Sequence, residues 1–312
     1  MASRHRKRRN DTTGRLRAAL AFAAAGRDVT GGVVSIGECM VEFFDRGDGL
    51  WRRGFAGDTL NVAWALRALL PPAIPVAYLS RVGTDAVSQA MLDFIAGAGI
   101  ATDAISRDPD RTVGLYTIAT DHAGERTFSY WRDTSAARRL AADAHHLAAS
   151  LHGARLVYLS GITAAVVGAE GRAALIAALT RAKAAGALVA YDPNYRPRLW
   201  DSVPAMRSFA EAIAGLADIL LPTFDDEAAA FGDGSPEATV ARLVGWGCDE
   251  VVVKNGANPT VLATGETITS HPPGAGVMPV DTTGAGDSFN GGYLAARLTG
   301  QDPARAVQVA QT

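Results

Sequence analysis

From Val33 onward, short apolar and β-branched runs alternate with longer Ala/Leu-rich segments. The runs at 33–36, 76–79, 156–159, 188–191, 219–221 and 251–254 are apolar nearly throughout, as strands covered on both faces must be. Between them, residues 59–70, 86–96, 171–185, 204–216 and 288–298 carry apolar side chains at three- and four-residue spacing, which predicts helices. Asp58, Asp85 and Asp287 stand where N-caps are favoured, and Pro204 suits a first helical turn, whose N–H groups have no intrahelical acceptor. Strands and helices in this alternation predict an α/β fold around a mostly parallel sheet.

Two stretches break the rhythm. Residues 40–55 and 113–132 alternate with a period of two, and the second contains the turn-like Asp121-His122-Ala123-Gly124, so both read as antiparallel hairpins. Their aromatics, Tyr116, Phe128, Tyr130 and Trp131, suit a lid over a ligand, a subunit interface, or both.

Composition narrows the class of partner. With 312 residues, 48% hydrophobic and 20% charged, the chain can bury a large core, and a net charge of -2 gives it no general attraction for nucleic acid or anionic membranes. Cys39 and Cys248 form no CxxC or Cys/His pattern, which argues against a disulfide framework or a zinc site and fits a reducing cytoplasm. The uncharged stretch 18–26 is too short to span a bilayer. The basic run from Arg4 to Arg9 can be read as a signal n-region or a nucleic-acid arm. A solvated extension over 1–30, or a start codon placed too early, is the preferred reading, with the folded part at 31–312.

The chemistry concentrates in Asp281-Thr282-Thr283-Gly284-Ala285-Gly286-Asp287-Ser288-Phe289-Asn290-Gly291-Gly292-Tyr293. Consecutive Gly-Ala-Gly amides at a helix start form a concavity for an anion, favoured further by the helix dipole. Asp287 at the same helix start is within reach of a hydroxyl attacking a phosphoryl group held there, a placement suited to a general base. A capping aspartate after a tight turn is the plainer alternative.

The whole run resembles the C-terminal signature of the PfkB carbohydrate kinases, and the resemblance extends over roughly 33–312. It implies a ribokinase-like three-layer α/β/α sandwich with a small β lid, built from about 40–55 and 113–132. It further implies ATP with Mg2+, Asp287 as base, and Gly284, Ala285 and Gly286 as the anion hole. A monovalent-cation requirement stays open. Gly54-Phe55-Ala56-Gly57-Asp58-Thr59-Leu60-Asn61 is similar to the family's sugar-binding loop, which implies hydroxyl contacts at Gly57, Asp58 and Asn61; Ala56 replaces a glycine common there. Lys254-Asn255-Gly256-Ala257 resembles the nucleotide loop, making Lys254 and Gly256 candidates for ribose and phosphate contacts.

Three stretches look like those of the family's 2-keto-3-deoxygluconate kinases: Gly37-Glu38-Cys39-Met40, residues 124–132, and Asp192-Pro193-Asn194-Tyr195-Arg196-Pro197-Arg198-Leu199-Trp200. A sugar acid carries a carboxylate, which a guanidinium fork matches, so Arg132 and Arg196 are assigned to it. Tyr116 and Tyr130 are expected to line the sugar pocket, and Asn194 and Arg196 to reach the nucleotide phosphates as well. A fructokinase is the nearest rival, and a non-catalytic sugar-binding protein the rival of another class. A homo-oligomer through the lid is expected. Residues 221–227 occupy the place of the family's NxxE element with Phe224 where asparagine is usual, leaving Glu227 as a candidate for ordering the metal's water shell. The chain stops at Thr312, where such kinases usually continue, so a shortened C-terminus is expected.

Overall fold

The computed structural model describes residues 31–120, 126–274 and 284–312. The expectations for the basic extension, for the turn at 121–125, and for Asp281, Thr282 and Thr283 lie outside the described residues. The described residues open with β1 (Val33–Ile36), β2 (Met40–Asp45), β3 (Trp51–Ala56), α1 (Asp58–Leu69), β4 (Val76–Val82), α2 (Ala86–Gly97) and β5 (Ile105–Arg107). It continues through β6 (Gly114–Thr120), β7 (Arg126–Trp131), α3 (Ala144–Leu151), β8 (Leu156–Ser160), α4 (Gly161–Val166), α5 (Gly168–Ala184) and β9 (Leu188–Asp192). Then follow α6 (Val203–Ala214), β10 (Ile219–Leu220), α7 (Phe224–Phe231), α8 (Pro236–Gly245), β11 (Glu250–Val253), β12 (Thr260–Thr264), β13 (Thr267–His271), α9 (Ala285–Leu298) and α10 (Pro303–Ala310).

Nine strands form one sheet in the order β13-β12-β11-β10-β9-β8-β1-β4-β5, parallel from β11 to β5 and closed at the other edge by the antiparallel β12 and β13. Successive strand residues feed opposite cores, because side chains alternate across a pleated sheet. Val157, Leu159, Val189 and Tyr191 pack into one core with α3, α5, α6 and α8, whereas Leu156, Tyr158, Leu188 and Ala190 pack into the other with α1, α2, α9 and α10. The expected three layers follow from that division.

The two irregular stretches are hairpins, as expected: β2 pairs β3 and β6 pairs β7, both antiparallel. Sequence did not show that they join. A parallel β2–β6 pairing makes one four-stranded sheet, β3-β2-β6-β7, with Met40, Tyr116 and Ile118 buried on it and every residue of β7 exposed.

Of the three expected caps, Asp85 alone behaves as one, accepting from the amides of Val87 and Ser88. Asp58 is the first residue of α1 behind Gly57, and Asp287 the third of α9 behind Gly284, so both carboxylates are released for other work. Gly291 lets α9 lie against α1, since a Cβ there would overlap the Cβ of Ala65. Among the described residues, no helix is long and apolar enough to cross a membrane.

Candidate functional site

The carboxyl ends of β1, β9 and β11 and the starts of α1 and α9 converge on a cleft of about 470 Å³, walled on one side by the small sheet. Open parallel sheets bind ligands at this end, where loops diverge and helix N-termini point inward. Gly57, Asp58, Asn61, Tyr116, Tyr130, Arg132, Asn194, Arg196, Lys254, Gly284, Gly286 and Asp287 all line it. Ala285 and Gly256 are not part of the lining.

At the start of α9, Gly284 has φ +73°, a left-handed conformation that glycine adopts without strain. This turn sets Asp287 against α1, where Asn61 donates from Nδ2 to Asp287 Oδ2 at 2.8 Å. Burial first, then the negative charge of Asp58, push the Asp287 carboxyl up to about 7, opposed by the Asn61 hydrogen bond. A carboxylate that titrates near neutrality is suited to accept a proton from a hydroxyl. Asp58 is itself pushed up, chiefly by burial, and accepts from Asn194 Nδ2 at 2.9 Å. Asn194 holds φ +33°, the single non-glycine residue with positive φ among those described, and its amide donates to Asp192 Oδ1 at 3.0 Å. Strained backbone persists where its surroundings over-determine it, here with bonds on both sides.

Beside the α9 turn lies a network that joins Lys254 to Asp192, Asn290 and Tyr158. Lys254 Nζ donates to Asp192 Oδ2 at 2.8 Å and to Asn290 Oδ1 at 3.0 Å. Asn290 is fully buried and donates to Asp192 Oδ2 at 2.6 Å and to the Tyr158 hydroxyl at 3.2 Å. Asp192 and Asn290 stood inside motifs already singled out, and the signal available was a polar residue directly after an apolar strand or within an apolar helix face.

The lid side gives one expected ligand a partner of its own. Arg132 is 7% exposed, and both its Nε and Nη2 donate to Glu38 Oε2, so its charge is already matched by a buried carboxylate. Gly114 makes room for that pair, because a Cβ there would lie 2.8 Å from Glu38 Oε1. Arg196 differs: its side chain is 53% exposed and only loosely opposed by Asp226 at 3.7 Å. Tyr116 hydrogen-bonds Glu42 and stacks on Tyr130 at 5.7 Å, giving the cleft an aromatic wall.

Glu227 is not part of the cleft lining. It is fully buried and accepts from Arg242 Nη2 at 2.7 Å, away from the cleft, whereas Asp225, Asp226 and Thr223 line it. Successive residues of a helix point about 100° apart, so one position along α7 exchanges the cleft for the core. Burial, followed by the charge of Asp192 among the acids nearby, raises the Asp226 carboxyl.

Comparison with known proteins agrees with this geometry. Residues 31–312 match the model of the pfkB family carbohydrate kinases. The 2-dehydro-3-deoxygluconokinase of Escherichia coli (strain K12) is 40% identical over 276 residues, covering 86% of this chain and 88% of that protein. That of Dickeya dadantii is 40% identical over 287 residues, covering 88% and 92%. Fructokinase-2 of Zea mays is more distant, 31% identical over 271 residues, covering 84% and 78%. Among solved structures, a PfkB protein from Polaromonas sp. JS666 superposes with a TM-score of 0.80 at 27% identity, covering 90% of this chain and 93% of that one. A putative ribokinase II from E. coli, in complex with ATP and Mg+2, gives 0.78 at 26% identity, covering 90% of each.

Proposed function

The chain belongs to the pfkB family of carbohydrate kinases, and from that premise we propose that it transfers the γ-phosphoryl group of ATP to the terminal hydroxyl of 2-keto-3-deoxygluconate. One observation carries the reading: a single cleft is lined both by the Gly284, Gly286 and Asp287 helix start and by Arg132, Arg196 and the lid tyrosines. The first set suits a phosphate, and in the second the exposed Arg196 suits the carboxylate of a sugar acid. The relatives at 40% identity carry the name of this activity, and the fructokinase stands at 31%.

In this reading Asp287 takes the proton of the attacking hydroxyl, which Asn61 and Asp58 orient at the start of α1. The amides of Gly284, Ala285 and Gly286 receive the transferring phosphoryl, while Asn194, Lys254 and the Gly256 turn serve the nucleotide. Arg196 is the carboxylate ligand. Arg132, already paired with Glu38, presents its guanidinium edge to a keto or hydroxyl oxygen rather than serving as a counter-ion.

Asp225 and Asp226 line the cleft, and Mg2+, a hard cation that keeps most of its waters, would be held there together with the phosphates and neutralise their charge. Exposed Trp51, Phe128, Tyr130 and Trp131 on the small sheet support pairing with a second copy through the lid. The two free, buried cysteines support a cytoplasmic location.

The test is ADP release by purified protein with ATP and Mg2+, comparing 2-keto-3-deoxygluconate, fructose and no sugar, beside Asp287→Ala. Turnover confined to the sugar acid and lost in the variant is expected. Turnover with fructose would reassign the substrate, and silence with every sugar would overturn the reading.

A further inference from the structure

Lys254 directly follows β11, and its side chain, more than its loop, is what the structure singles out. Lys254 is 8% exposed and still borders the cleft. An ammonium has three N–H donors. Two are engaged by Asp192 and Asn290, whose own polar atoms are tied to each other, to Tyr158 and to the Asn194 amide. Gly286 faces it: a Cβ on that residue would lie 3.7 Å from Nζ, so no side chain separates the ammonium from the backbone of the anion-binding turn.

We propose that Lys254 is a catalytic residue whose third N–H and positive charge stabilise the transferring phosphoryl group, with Asp192 and Asn290 as the positioning residues that aim it. This deepens the kinase reading above and rests on it. In phosphoryl transfer, charge spreads over the equatorial oxygens of the group in flight while the protein contributes position and electrostatics. The bond between sugar oxygen and γ-phosphorus forms as that between γ-phosphorus and the bridging oxygen breaks. The hydroxyl proton passes to Asp287, ADP leaves with the electron pair of the broken bond, and Lys254 stays protonated throughout. Backbone amides at the helix start are neutral dipoles; a cation fixed beside them in a partly desolvated cleft adds stabilisation that needs no reorganisation during the reaction. Asp192 neutralises that cation in the resting enzyme, so it is not buried unpaired.

A purely structural ion pair makes the opposite forecast, and a double variant separates the two. Lys254→Met strands Asp192, whereas Lys254→Met with Asp192→Asn removes both charges and relieves the fold. We expect kcat about 100- to 1000-fold below wild type in both variants, the range for losing one transition-state donor, with KM for the sugar acid changed little. Lys254→Ala should regain part of its kcat on adding ethylammonium, a rescue that packing alone would not produce. If the double variant turns over within tenfold of wild type, or if ethylammonium has no effect on Lys254→Ala, the proposal fails while the kinase reading stands. Wild-type protein that phosphorylates no sugar would overturn both.

Discussion

Replacing Asn61 with leucine, which has similar volume and no amide, tests whether Asp287 is the base and how its proton affinity is set. The Asn61 Nδ2 donor lies 2.8 Å from Asp287 Oδ2 and favours the ionised carboxylate, opposing burial and the charge of Asp58. A hydrogen bond to a charged group is worth about 1.5–3 kcal/mol, and one pK unit about 1.4 kcal/mol, so its loss should raise the carboxyl by roughly one to two units. From about 7 in the native site, the group would move to roughly 8–9. At pH 7 the ionised fraction would fall from about a half to roughly 1–10%, a loss of about 5- to 50-fold in kcat/KM. The assay is the pH profile of kcat/KM for the sugar acid under saturating ATP. Wild type should rise with unit slope through neutrality, because the base must be deprotonated, and Asn61→Leu should show the same limb displaced upward, beneath a lower plateau that reflects its lost contact to the hydroxyl. An unmoved limb, or an equal loss at every pH, would refute the assignment of Asp287 as base or of Asn61 as the group that tunes it.

The two cleft arginines should part company. Arg132→Ala leaves Glu38 buried without its partner and should cost about 3–5 kcal/mol, read as a large fall in Tm. Arg196→Ala, half exposed and weakly paired, should leave Tm nearly unchanged while raising KM for the sugar acid tenfold or more and sparing KM for ATP. At Asn194, both Ala and Gly remove the bond to Asp58 and should lower kcat/KM alike, but Ala should also lower Tm by straining the positive φ, by about 1 kcal/mol. Glu227→Ala removes one charged hydrogen bond from Arg242, which keeps Asp233, and should destabilise by about 1.5–3 kcal/mol, with the Mg2+ dependence of the folded enzyme unaltered; a raised Mg2+ requirement would return Glu227 to the metal.

The legible part of this protein was what local sequence carries. Uninterrupted apolar runs announced strands covered on both faces, and the Gly-Ala-Gly-Asp run announced a tight helix start, where Gly284 takes a left-handed φ. Twelve of the expected site residues line one cleft: most stand where strands of the large sheet end and helices begin, while Tyr116, Tyr130 and Arg132 reach it from the small sheet. The antiparallel β12 and β13 went unread, being short and partly polar, and the pairing that joins two hairpins into one lid depends on β2 and β6, some 70 residues apart.

Which partner each charge finds was decided by tertiary structure. Arg132 looked like a carboxylate ligand until folding set Glu38 against it from 94 positions away. One helical position turned Glu227 into the core and Asp226 into the cleft. Lys254, Asp192 and Asn290 come from β-strand ends and a helix that are remote in sequence, and meet because parallel strands deliver their carboxyl ends to the same edge of the sheet. Residue chemistry and local backbone preference are written along the chain. The electrostatic environment of a side chain is summed over space, so the raised proton affinity of Asp287, set by burial, Asp58 and Asn61, exists only once α1 and α9 have packed.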